Sequence, residues 1–175
     1  DIDEKSLGQF GQFPWSRSIF AKIVEKVNEA GPKAIGFDIF FSEKDKQSPE
    51  EIIKSYKLNE ADSEEFVEIF EGLVEGIIIN HDEIFRDQLE NSNSVIAVLG
   101  SNTSSHGTYE RSAKARFLSK GGDPKKFTYA FPYSIGSLEE LETSAKGLGS
   151  ISFLDQSDGI IRSLPLIVRF KNKLY

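Results

Sequence analysis

The stretch that most constrains this chain is Lys33-Ala-Ile-Gly-Phe-Asp-Ile-Phe-Phe-Ser-Glu43, an apolar run with a single carboxylate, Asp38, at its centre. A continuous run of this kind, rich in Ile and Phe, predicts a strand buried on both faces. Gly31-Pro32 ahead of it closes the preceding helical pattern, since proline cannot continue a helix and disfavours the α conformation in the residue before it. An ionised carboxylate inside such a strand is costly unless it is hydrogen-bonded, paired or close to the strand end. Asp38 therefore has two readings. It meets a structural partner such as an arginine or backbone amides, or it faces a ligand or ion pocket at the carboxyl edge of the sheet, where Ser42 and Glu43 would also lie.

Upstream, Asp1-Ile-Asp3 reads as the tail of a strand and Gly8 to Pro14 as a turn-rich loop. Ser16 is a good N-cap for a helix in which Ile19, Phe20, Ile23, Val24 and Val27 share one face. A strand–helix–strand unit with parallel strands follows from this order. Downstream, Ser48-Pro49-Glu50 opens a short helix, with proline at the first helical position and acids in the first turn. A helical stripe runs from Asp62 through Phe66, Phe70, Leu73, Val74 and Ile77. Asn80-His81-Asp82 interrupts it if Asp82 caps a further helix bearing Ile84, Phe85 and Leu89, and the spacing leaves open one long helix or two. Ser94 to Gly100 is a short buried strand, and Ser101 to Lys126 a long polar loop.

Phe127–Phe131 alternates as a strand does, and Ser137-Leu-Glu-Glu has the form of a capping box. Gly147–Leu154 and Ile160–Phe170 read as strands flanking an Asp158-Gly159 turn. Lys171-Asn-Lys173 is a second turn, and Pro165 favours an edge position or a bulge. The whole predicts one α/β domain over residues 1–175: a central mixed sheet flanked by helices and closed by a C-terminal β-hairpin.

Composition removes several function classes. The net charge is −7, and acidic residues concentrate between Glu43 and Glu90, which argues against a nucleic-acid partner. There is no cysteine, hence no disulfide framework, thiolate metal site or thiol nucleophile. No apolar run approaches the roughly 20 residues that span a bilayer, and no signal-peptide pattern is present. A start at Asp1 without an initiator Met suggests an excised piece of a longer protein.

Catalytic motifs are scarce. The two histidines, His81 and His106, lack zinc-site spacing and read as lone surface residues. There is no Gly-x-Ser-x-Gly elbow, phosphate loop or dinucleotide glycine pattern. Asp155, Gln156 and Asp158 faintly suggest a calcium loop but lack the terminal bidentate Glu, so a turn is the stronger reading. No cofactor is implied.

Four stretches in order carry a resemblance. They are Asp1-Ile-Asp3-Glu4 with Leu7-Gly8; Phe13-Pro14-Trp15-Ser16-Arg17; Ala34 to Glu43; and Gly147-Leu-Gly149 with Asp155, Asp158-Gly159-Ile-Ile-Arg162-Ser-Leu-Pro165-Leu166. Together they resemble the CHASE2 family of bacterial extracytoplasmic sensor domains over nearly the whole chain. Phe13 stands where that family usually carries the first Trp of a Trp-Pro-Trp motif. The resemblance implies a periplasmic or cell-exterior receptor domain of an inner- or plasma-membrane protein, joined to transmembrane helices of the same chain. The implied cytoplasmic output is a nucleotide cyclase, a kinase or a diguanylate-turnover module.

The shared residues also have physical readings. Pro14 and Trp15 suit a hydrophobic staple at the helix start. Arg17 and Arg162 are candidate partners for Asp38 or Asp158, as a buried bidentate pair that would be a latch if sealed and a ligand contact if it lines a cleft. The candidate ligand-binding set is thus Trp15, Arg17, Asp38, Ser42, Glu43, Asp158 and Arg162, with no catalytic residue and no metal ligand. The expected partners are an unidentified small-molecule or environmental signal and a second copy as a homodimer. Two rivals remain: an acidic metal-dependent hydrolase centred on Asp38, Glu43 and Asp158, and a ligandless dimerisation module.

Overall fold

The order of elements is set by where helical stripes give way to short β-segments. The computed structural model describes residues 2–59, 80–103, 111, 113–153 and 160–175. Five α-helices stand among them: α1 (Glu4–Phe10), α2 (Arg17–Glu29), α3 (Pro49–Asn59), α4 (His81–Glu90) and α5 (Glu139–Ser144). The strands are β1 (Ile35–Gly36), β2 (Ser94–Ser101), β3 (Tyr129–Phe131), β4 (Tyr133–Gly136), β5 (Gly147–Ser150), β6 (Val168–Phe170) and β7 (Lys173–Leu174).

β2 is the spine of the first sheet. It runs parallel to β1 at its start and antiparallel to β4 at its end, and parallel β5 lies along its middle. The second sheet is ordered β3-β6-β7, with β3 parallel and β7 antiparallel to β6. The sheets are mixed, as the sequence predicts, but there are two of them among the described residues where one central sheet is expected. The C-terminal hairpin is β6–β7, turned at Lys171 with φ 52°. It is not the pair of strands expected around Asp158-Gly159, because β5 and β6 belong to different sheets. Residues 155–159 themselves lie outside the described residues, as do His106 and the stripe from Asp62 to Ile77.

Several local expectations are corrected. Residues 2 and 3 are not a strand: Asp3 caps α1 in a reciprocal box with Ser6, which rules out the predicted strand–helix–strand unit. Asp3 and Ser6 each satisfy the other's amide, and that local gain decides for helix. The 33–43 run is a strand only at Ile35–Gly36, and Asp38 is exposed rather than buried. Ser137 does not cap α5, whose N-cap is Leu138 without a side-chain bond. Instead Ser137 Oγ accepts the Phe41 amide at 3.1 Å. Residues 160–167 lie outside any strand, with Leu164 and Leu166 exposed.

Two apolar clusters follow from this arrangement. Trp15, Phe20, Val24, Phe41, Phe85, Leu89, Ile96 and Leu141 form the larger one, where α2 and α4 pack together. Its centre is aromatic, with Phe41–Phe85 centroids 4.9 Å apart and Phe20–Phe41 5.1 Å, both edge-on. Val98, Phe131, Val168, Phe170 and Tyr175 form the smaller one, and Leu148 packs against both.

Candidate functional site

α2 begins where the sequence places it. Ser16 caps it, its hydroxyl accepting the Ser18 amide at 3.2 Å. Trp15, one residue before the cap, packs on Phe20 in the helix with centroids 6.5 Å apart, which is the geometry of a hydrophobic staple. The indole N–H of Trp15 donates to the Gly11 carbonyl at 2.8 Å. The buried face of α2 is Arg17, Phe20, Ala21 and Val24, whereas Ile23 and Val27 of the predicted stripe remain exposed. α4 repeats the pattern. Asn80 is its N-cap, not Asp82, and its buried face is Asp82, Phe85 and Leu89. Each helix thus carries one charged residue at the head of its apolar stripe, and the two helices meet along those stripes.

The opposite charges meet as a result. Arg17 Nε lies 3.4 Å from Asp82 Oδ1, with both side chains buried. Asp82 Oδ2 accepts the Asp45 amide at 2.9 Å. Asp45 Oδ2 accepts the Ser16 hydroxyl and the Arg17 amide, each at 2.7 Å, and Asp45 Oδ1 accepts the Gln47 amide at 2.9 Å. His81 Nδ1 stands 2.7 Å from Ser16 Oγ and 3.2 Å from Asp45 Oδ2. With the Ser16 proton directed to Asp45, Nδ1 is the donor and His81 is fixed as that tautomer. His81 is therefore one member of a buried network rather than a lone surface histidine.

The network is not a hydrolytic triad. Ser16 and Asp45 approach the same ring nitrogen, whereas nucleophile activation needs serine on one nitrogen and carboxylate on the other. The Ser16 oxygen is also engaged as the helix cap.

Electrostatics divides the two carboxylates. Burial opposes the charge on Asp45, but the bonds from Ser16, Gln47 and Arg17, together with His81, outweigh it and hold its carboxyl below the usual aspartate range. Burial pushes the Asp82 carboxyl up despite the Asp45 amide and Arg17, and the Asp45 charge adds to the effect. Burial also pulls the Arg17 guanidinium down, against the attraction of Asp82 and Asp45.

In front of this network is a cleft of about 250 Å³ between residues 13–20 and 39–47. Trp15, Arg17, Ser42 and Glu43 line it, so four of the seven candidate ligand residues come together there. Asp38 and Arg162 do not line it. The Arg162 Nη1 donates to the Ile160 carbonyl at 3.4 Å, and Asp158 lies outside the described residues. Arg17 is paired with Asp82, not with Asp38. The Glu43 carboxylate bonds to Lys46 at 2.8 Å, and that bond keeps it below the usual glutamate range. Among the described residues no three His, Asp or Glu side chains stand where they could share a metal ion.

A second buried pair was invisible in the 101–126 loop. Arg111 Nε donates to Glu142 Oε1 at 2.9 Å, and Arg111 Nη1 to the carbonyl and hydroxyl of Ser134. The Tyr175 hydroxyl donates to the Arg111 carbonyl at 2.7 Å. Lys114 Nζ donates to the carbonyls of Thr143 and Ala145 at the end of α5, where a cation suits the helix dipole.

The CHASE2 family model matches residues 1–175, and the chain belongs to the CHASE2 family. A search of the curated proteins and one of the solved structures each return no match. CHASE2 domains are extracytoplasmic sensor domains and not catalytic ones, so the role of this chain is signal input. Among the described residues no helix is long and apolar enough to cross a membrane.

Proposed function

We propose that this CHASE2 domain, a single unit over residues 1–175, is the extracytoplasmic input module of a bacterial transmembrane receptor, and that its cleft receives the signal. The observation that carries this reading is the convergence on one cleft of the α2 start, the 41–47 segment and, directly behind them, the α4 start. A ligand seated there touches the segment that joins both helix starts, so its binding energy can bias how those elements pack. Transmembrane helices of the same chain would pass that bias to a cytoplasmic nucleotide cyclase or kinase, within a homodimer.

The test is a thermal-melt screen of the chain against small extracytoplasmic metabolites and divalent ions. A ligand at about 100 times its dissociation constant adds about 2.7 kcal/mol, which raises the midpoint of a domain this size by about 5–10 °C. A small-molecule shift abolished by substitution in the cleft supports the reading. A shift given only by divalent ions and lost in Asp38→Asn would revive the hydrolase. Concentration-dependent dimerisation without any ligand response would favour an assembly module.

A further inference from the structure

The cleft holds a donor that its own surroundings leave largely unengaged. A guanidinium carries five N–H donors. Among the described residues Arg17 makes one side-chain hydrogen bond, from Nη2 to the Glu43 carbonyl at 2.9 Å. Its Nε is buried without a hydrogen-bond partner, facing Asp82 Oδ1 at 3.4 Å. The residue is only 9% exposed, lines the cleft, and has its guanidinium carbon 4.6 Å over the Phe41 ring.

The other charged groups of the cleft are engaged. Lys44 bonds to Glu140 at 3.2 Å and Lys46 to Glu43 at 2.8 Å. The Asp45 carboxylate already receives Ser16, the amides of Arg17 and Gln47, and His81. Asp82 stands behind Arg17 and does not line the cleft. Inside the mouth carried by the exposed Lys44 and Lys46, what the cleft offers a ligand is donor capacity on Arg17 beside the edge-on and tilted aromatic side chains of Trp15, Phe20 and Phe41. The volume of about 250 Å³ lies just under the roughly 300–1,000 Å³ of pockets for drug-sized ligands, which suits a single-ring molecule.

We propose that the cleft binds a small organic carboxylate with a flat apolar body, its carboxylate on the Arg17 guanidinium and its body against Trp15, Phe20 and Phe41. This rests on the reading of the cleft as the input site. An arriving carboxylate takes the Nη donors left beside the single bond from Nη2 to the Glu43 carbonyl, in the planar geometry that guanidinium groups favour.

Trp15 is the sole tryptophan, so the ¹⁵N-labelled chain gives one unambiguous indole N–H resonance, from a residue that lines the cleft. Benzoate, benzamide and benzylammonium share a ring and differ in head group, and titrating all three compares heads on the unaltered protein. Benzoate is expected to move the Trp15 signal saturably and to bind at least tenfold tighter than benzamide. Arg17→Met, if folded, is expected to remove that preference. Equal or tighter binding of benzamide or benzylammonium overturns the carboxylate assignment while leaving the cleft as an input site. No movement with any of the three overturns the proposal, and the broader melt screen then decides the input reading separately.

Discussion

Arg17 Nε and Asp82 Oδ1 face each other at 3.4 Å, and among the described residues neither atom has a hydrogen-bond partner. The Arg111–Glu142 pair, also buried, closes to 2.9 Å and is extended by Ser134. The described residues thus hold two buried Arg–carboxylate pairs of different completeness. The complete one ties strand β4 to helix α5 away from the cleft, and the incomplete one stands at its back. Burial disfavours the charged forms of both Arg17 and Asp82, so the incomplete pair is the one most open to rearrangement.

Breaking that pair from one side should cost more than removing it altogether. Arg17→Met leaves the Asp82 carboxylate, whose charge burial already disfavours, without its counter-charge and is expected to cost about 3–5 kcal/mol in urea unfolding at pH 7. Adding Asp82→Asn removes the stranded charge and should return at least about 1 kcal/mol of that loss. A double variant as unstable as the sum of the two singles would show that the charges are not coupled.

Acid should expose the division between the two carboxylates. Asp45 is held below its unfolded value, so its contribution is present above about pH 4 and is lost as pH falls through its folded value. Asp82 is raised, so its contribution has the opposite sign: it is full below about pH 4 and is lost as pH rises through its folded value. The urea midpoint of Asp45→Asn should therefore lie well below wild type at pH 7, with the gap narrowing towards pH 3. A gap that is constant with pH would mean that the Asp45 charge does not contribute.

Ser16 separates capping from the network. Ser16→Ala should cost about 2 kcal/mol, the upper end for a lost N-cap, because the bonds to Asp45 and His81 go with it. Glycine is itself an accepted cap and would cost only a few tenths if capping were the whole role. Denaturation of Ser16→Gly at nearly the same midpoint as Ser16→Ala would identify the network as the source of the loss.

Two glycines should respond in opposite directions. A Cβ on Gly136 would sit 2.3 Å from Glu142 Oε1 and 2.9 Å from Arg111 Nε. Gly136→Ala is expected to cost about 3 kcal/mol by forcing that buried pair apart. Gly8 lies inside α1, and a Cβ added there would meet nothing within 4 Å. Gly8→Ala should add about 0.5–1 kcal/mol to the helix, read as increased amide protection over 4–10.

What could be read in advance follows from how local each signal is. Ser16 as a cap, Trp15 as a staple, the helix start at Ser48-Pro49 and the buried β2 strand all depend on a few neighbouring residues, and they stand as expected. The Asp38 expectation failed on period. Ile35, Phe37, Ile39 and Phe41 face inward while Gly36 and Asp38 face out, an alternation hidden in the sequence by Phe40. Asp82 escaped notice as a core residue because its spacing to Phe85 and Leu89 is visible only if a carboxylate is allowed on an apolar stripe. Arg111 and Glu142 have no local signal at all. Their pairing depends on the close approach of β4 to α5 that Gly136 permits, a contact between residues 31 apart.

Phe41 is held on three sides: its ring between Phe20 and Phe85, its amide on Ser137 Oγ, and its carbonyl on the Leu138 amide at 2.8 Å. The wall of the cleft is thereby stitched to the start of α5 by bonds that solvent reaches only when both segments open together. In hydrogen exchange the Phe41 and Leu138 amides should behave as one slow unit, released at a shared rate. Walls that exchange that slowly would mean a recess formed before any ligand arrives, so that an occupant need not supply the entropy of ordering it.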